Sequence, residues 1–156
     1  MKKLFRYLFG SPSKSFPVEL QFMFWLRDRN LKNLARWQKN RLYYKHSVWI
    51  HLQANIHNSV VFPHPVGMVI GAVNIKEGCV IHQNVTLGES RKKGLPTIDA
   101  NTHIFSGAVI GGGIYVGENC VIGANSVITK DIPDNSVVVG ANKIIRTNSM
   151  DSKESK

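Results

Sequence analysis

The chain has 156 residues, and 20 Lys and Arg against 10 Asp and Glu give it a formal charge of +10. That length suits one ordinary domain, and no apolar run reaches the roughly 18 residues that a membrane span needs. The charge favours anionic partners such as a nucleotide-bearing cofactor or a lipid surface, and no nucleic-acid-binding motif accompanies it. Cys79 and Cys120 are isolated among aliphatic residues with no CxxC pair, which fits small core residues in a reducing, cytoplasmic setting. The start MKKLFRYLFG has neither the apolar length nor the small-residue cleavage site of a secretion signal.

Residues 1–46 form a basic helical segment. From Val18 to Lys45, Leu20, Met23, Phe24, Leu31, Leu34, Ala35 and Leu42 approximate helical spacing, which predicts one or two short helices. Lys2, Lys3, Arg6, Lys14, Arg27, Arg29, Lys32, Arg36, Lys39, Arg41 and Lys45 crowd the segment, opposed mainly by Glu19 and Asp28. Two arrangements suit such a basic segment: a cap on the following domain with its charges in water, or a module lying on anionic lipid.

From Ser47 the period changes to six. Aliphatic or aromatic residues recur at Ile50, Ile56, Phe62, Val69, Ile75, Ile81, Leu87, Ile98, Ile104, Ile110, Val116, Ile122 and Ile128, with small or aliphatic residues such as Ala54, Val60, Val66, Val73, Cys79 and Val85 in the fifth place. A six-residue unit cannot bury its apolar side chain alone, so the units must coil and stack, three hexads to a triangular turn. The prediction is a mainly β solenoid over residues 47–146, followed by a disordered polar tail, 147–156.

Two interruptions break the count. One extra residue falls at Gly67-Met68, after the FPHPVG stretch that clamps His64 between two prolines, and GESRKKGLPT makes a loop over residues 88–97. Insertions must leave the coil. Stacking then sets Phe62, Ile81, Ile104 and Ile122 in line, so His64, Gln83, Ser106 and Ala124 form one column that starts with an imidazole and becomes small. An extended ligand fits along such a column.

HPVGMVIG, IHQNVTLG and IGANSVITKDIPDNSVVVGANKIIR together resemble the hexapeptide-repeat acyltransferases, most closely the serine acetyltransferase branch. The resemblance covers roughly Ile50 to Arg146. It implies a left-handed parallel β-helix and a homotrimer with active sites between subunits. It also implies direct acetyl transfer from acetyl-CoA to a hydroxyl with His64 as general base, and no metal. Gly88, Ser106, Gly107 and Ala124 would follow the pantetheine, and Lys130, Lys143 and Arg146 would meet the adenosine phosphates. Backbone N–H groups near Gly88 or Ser106 would face the oxyanion. His82, Gln83, Lys92 and Lys93 are the acceptor-side candidates, while His46, His51, His57 and His103 are expected at the surface or in hydrogen-bonded corners.

The chain departs from that pattern. Trp49 stands where an aspartate would orient the catalytic histidine, Gly94-Leu95-Pro96 replaces the Arg-His-Pro that holds the carboxylate of serine, and Asn142 replaces a proline at the exit. Glu89 or Asp99 of a neighbouring subunit is a candidate orienting acid. With the short helical segment, these losses make the chain resemble the short sugar and polysaccharide O-acetyltransferases of the colanic-acid type, which implies a sugar or polysaccharide precursor as acceptor. The alternatives are serine, in cysteine biosynthesis, and a non-catalytic scaffold or membrane-peripheral module.

Overall fold

The computed structural model describes residues 11–90 and 93–147. The tail beyond Thr147, the basic Lys2, Lys3 and Arg6, and Lys92 lie outside the described residues. Among the described residues two helices come first, α1 (Pro12–Asp28) and α2 (Lys32–His46). Pro12 opens α1, where its missing N–H costs nothing, and Ser47 closes α2 in the left-handed conformation at φ 54°.

Fourteen short strands follow: β1 (Trp49–Ile50), β2 (Asn55–Ile56), β3 (Val69–Ile70), β4 (Asn74–Ile75), β5 (Val80–Ile81), β6 (Thr86–Gly88), β7 (Thr97–Ile98), β8 (His103–Ile104), β9 (Val109–Gly111), β10 (Tyr115–Val116), β11 (Val121–Ile122), β12 (Val127–Ile128), β13 (Ser136–Val139) and β14 (Lys143–Thr147). They build three sheets. The first face is β1-β3-β6-β9-β12, the second β2-β4-β7-β10, and the third β5-β8-β11-β13-β14. All pairs are parallel except β13 with β14. The result is the expected β-solenoid, about five turns long.

Within the two-residue strands the first side chain points out and the second in. The inward columns are Ile50, Ile70, Leu87, Ile110 and Ile128 on the first face, Ile56, Ile75, Ile98 and Val116 on the second, and Phe62, Ile81, Ile104, Ile122 and Val138 on the third; all are buried. Two corners repeat a left-handed residue, the third-to-first in every coil and the second-to-third in every coil after the first. Gly67, Asn84, Gly107 and Asn125 mark the third-to-first corner, and Gly78, Asn101, Asn119 and Asn135 the second-to-third. Only Gly and Asn take that conformation cheaply. Cys79 and Cys120 are buried core residues, and burial pushes both thiols up.

The register differs from the sequence reading at one place. Ile70, not Val69, fills the inward column, and Met68, not Val66, is the buried residue before it; Val69 and Val66 are exposed. From Phe62 the chain takes seven residues to reach Val69, whereas Ile81, Ile104 and Ile122 reach Thr86, Val109 and Val127 in five. The corner holding His64 therefore carries two extra residues. The first-to-second corner that follows is one shorter, four residues from Ile70 to Asn74 against five from Ile50 to Asn55, which hides part of the insertion from a simple count.

The ends are covered differently. At one end Phe16 of α1 packs edge-on against Phe62 with ring centres 5.1 Å apart, and the Arg27 guanidinium donates to the Leu52 and Ala54 carbonyls at 3.0 and 2.7 Å. At the other, β14 turns back on β13. Leu31 and Leu34, expected inside the helical pair, are instead exposed, and the inward set is Phe16, Leu20, Met23, Phe24, Leu26, Ala35 and Leu42.

At Gly107, φ is +72° and an added Cβ would sit 2.1 Å from the Asn125 Oδ1. Gly107→Ala should lower the unfolding free energy by about 1–3 kcal/mol in chemical denaturation. Gly88→Ala, where an added Cβ meets nothing within 4 Å, should stay within about 0.5 kcal/mol of the parent.

Candidate active site

The long corner leaves the solenoid. Val66 donates its N–H to the His64 carbonyl at 2.8 Å, making a tight turn, and Gly67 donates to the Ser47 carbonyl at 3.1 Å. The Val66 carbonyl accepts from Asn84, just as those of Gln83 and Ser106 accept from Gly107 and Asn125 one and two coils on. Val66, not His64, therefore heads the column above Gln83, Ser106 and Ala124. This corrects the sequence reading: the two extra residues push His64 outward, where it is exposed between half-buried Pro63 and buried Pro65. It opens on a cleft of about 480 Å³ whose other walls are Ser11–Ser13 at the start of α1 and Lys45–Ser47 at the end of α2.

His82 lies beside it. Its ring stacks on Phe105 with centres 5.0 Å apart and an interplanar angle of 13°. Burial holds His82 below the ordinary imidazole range, and the nearby His64 and His103 rings lower it further. The next residue, Gln83, has its Oε1 buried without a hydrogen-bond partner, an acceptor aimed at no protein donor. Ser106 and Gly107 are half-buried and Ala124 is exposed. From Val66 to Ala124 the column spans three strand spacings, about 14 Å.

Other predicted site residues lie elsewhere in the chain. Gly88 pairs with Gly111 at the opposite edge of the first face, and its carbonyl accepts from Gly112. The described end of the 88–97 loop lies along that edge, with Gly94 and the Lys93 carbonyl against Gly113. Lys130 follows β12 on the same edge. Asn142 hydrogen-bonds Thr129 through both its amide atoms and so sets Lys143 beside that turn, and Arg146 lies opposite Val137 on the third face. One chain thus brings together His64, His82, Gln83, Ser106, Gly107 and Ala124, but not Gly88, Lys93, Lys130, Lys143 or Arg146.

Among the described residues no carboxylate is hydrogen-bonded or ion-paired to His64. Asp99 is committed to Lys76, to the Tyr115 hydroxyl and to the Ala100 N–H; these bonds hold its carboxyl below the usual range and push Tyr115 up to about 12. Trp49 points outward beneath Lys39, whose ammonium lies 4.9 Å from the ring centre.

Sequence reasoning missed a polar group behind the cleft. Glu19 is fully buried, with Lys45 Nζ at 2.5 Å from Oε1 and His46 Nε2 at 3.5 Å from Oε2, and Gln38 donates to the Glu19 carbonyl at 3.2 Å. His46, expected at the surface, is buried against Phe16. Burial lowers its pKa, with Glu19 opposing. The signal was available: Ala35, Gln38 and Leu42 share one helix face, which puts Gln38 inside.

Comparisons with known proteins agree with this geometry. Residues 96–130 match the family model for the bacterial transferase hexapeptide, six repeats. Those residues are hexapeptide repeats of the kind that model describes. Across 74% of the chain, the sequence is 36% identical to the serine acetyltransferase of Synechococcus elongatus, covering 49% of that protein. Two solved structures superpose on it. A serine acetyltransferase in complex with CoA gives a TM-score of 0.81 at 30% identity over 90% of this chain and 60% of the other. The Neisseria gonorrhoeae serine acetyltransferase in complex with serine gives 0.82 at 28% identity over the same shares.

The chain spans about half the length of the curated relatives it matches. Those relatives overturn the expected carbohydrate acceptor, since they are serine acetyltransferases. The carbohydrate reading rested on missing residues and a short helical segment, and an absent side chain does not specify a different ligand.

His46 and His82 set a pH dependence. Both titrate below 6.5 in the folded state, so as pH falls the unfolded chain takes up protons first. Their stabilising contribution is complete above about pH 6.5 and lost as pH drops through the folded values. Proton NMR should find the His82 titration below that of a model histidine, and His64→Asn should raise it without restoring the ordinary value.

Proposed function

We propose that this chain is a serine O-acetyltransferase using acetyl-CoA, with His64 as general base. The observation that carries this reading is the two-residue enlargement of the corner after Phe62, which projects one imidazole from the solenoid into a cleft. His64 takes the proton from the serine hydroxyl as its oxygen attacks the thioester carbonyl. The new C–O bond forms, the C–S bond breaks, and the departing sulfur receives that proton, giving O-acetylserine and the free thiol of CoA. A neutral imidazole near pH 7 suits both proton transfers.

The binding roles are assigned by place. Gln83 offers its unpaired acceptor to the acceptor substrate beside His82, and the narrowing column Ser106, Gly107, Ala124 receives the pantetheine arm. Gly88, Lys93, Lys130 and Lys143 belong to the opposite edge or its far end, so they complete the site only from a second chain. A homotrimer supplies that arrangement, each cleft taking the His64 edge of one subunit and the Gly88 edge of the next. Lys92 or Lys93 then stands in for the missing Arg-His pair toward the serine carboxylate, and Arg146 meets the phosphates.

Free-thiol release from acetyl-CoA, compared across serine and a panel of sugars and oligosaccharides, tests this. Serine should support turnover and His64→Ala should lower kcat by about 10²–10⁴-fold. Turnover with sugars and not serine, or an unaffected His64→Ala enzyme, would reject it. Lys93→Ala should raise KM for serine more than it lowers kcat.

A further inference from the structure

The geometry points to a lipid-docking surface on the outer face of the helical pair, for a bilayer rich in anionic headgroups. On α1, Lys14, Val18, Phe22, Trp25 and Arg29 follow one another at helical spacing along a single stripe, and all are exposed. Phe22 stacks on Trp25 and the Arg29 guanidinium lies 4.0 Å from the Trp25 ring centre. On α2 the stripe is Leu34, Trp37, Arg41 and Tyr44, in which Trp37 is 57% and Tyr44 83% exposed and Arg41 lies over the Trp37 ring.

Both stripes turn away from the coils. Arg27, which bonds the first coil, lies about half a turn around α1 from the Val18–Arg29 stripe, and Lys39, over Trp49, is placed likewise on α2. α1 is therefore apolar on two sides. One side is used by the core, and the other is presented to solvent with arginine on tryptophan.

Charge selects the occupant. Residues 1–47 hold eleven Lys and Arg and two acidic residues, of which Glu19 is buried, whereas residues 48–147 hold seven and six. Nearly all of the excess charge falls in the first 47 residues of the sequence, and the described helical residues carry eight of those cations. A second copy would set two such faces against each other and repel. A bilayer surface with anionic lipids accepts cations at the headgroups and Trp, Phe and Leu just beneath them. Among the described residues no helix is long and apolar enough to cross a membrane, so the contact is along the surface.

Sedimentation of the full chain with phosphatidylcholine vesicles, with and without phosphatidylserine, at low and high salt, reads the proposal without any substrate. Pelleting should require phosphatidylserine and weaken with salt. Lys14→Glu with Arg29→Glu, and separately Trp25→Ala with Trp37→Ala, should each cut partitioning by about tenfold or more while acetyl transfer in solution is unchanged. Equal pelleting on both vesicles or none on either overturns it. So does a concentration-dependent doubling of mass that the tryptophan variants abolish, which would make the face a self-interface.

Discussion

Each coil is tied to its neighbours by strand hydrogen bonds on three faces, and two of its corners, or one in the first coil, are pinned in the left-handed conformation by Gly or Asn. The Asn84, Asn101 and Asn125 amides occupy the space where a Cβ on Gly67, Gly78 or Gly107 would fall, so a corner's backbone and the side chain on the next coil are fitted together. Register is thereby set coil by coil. A chain that adds residues to a corner cannot spread the change along the axis, and the surplus must project. Of the corners between the third and first faces, only the one at His64 is enlarged among the described residues.

That constraint explains why the site combines rigidity with exposure. Pro65 is buried and the Gly67 N–H is held by Ser47, so the ends of the projecting turn are fixed while the imidazole between them faces the cleft. The helical pair contributes the cleft's second wall and its buried Glu19–His46 contact. The helices are thus both the cap that covers the first coil's edge and part of the candidate site. In the proposed trimer, the two edges of the first face supply different halves of the pocket, which accounts for predicted site residues that a single chain holds apart.

Much of the fold was legible because burial repeats with a period that neither helices nor flat sheets share. Phe62, Ile81, Ile104 and Ile122 stack as their spacing requires. The failure at Val69 has a local cause: Val69 and Ile70 are both β-branched and aliphatic, so composition cannot say which faces in, and the shortened corner after Ile70 restores the count within one coil. The column assignment for His64 inherited that error. Leu31 and Leu34 misled for the opposite reason, since helix α2 is apolar on its solvent side too. Glu19 and His46 were passed over because charged residues are rarely buried, and only tertiary packing sets Lys45 against Glu19.

The claim under all of this is that corner length, rather than the mere presence of a histidine, makes the site. Deleting Pro65 and Val66 returns the corner to the length of its counterparts and keeps His64 in the chain. Circular dichroism and thermal unfolding should show the solenoid retained, while thioester turnover with serine falls by about 10²–10⁴-fold, the share a general base contributes. A folded deletion variant with undiminished turnover would contradict the account.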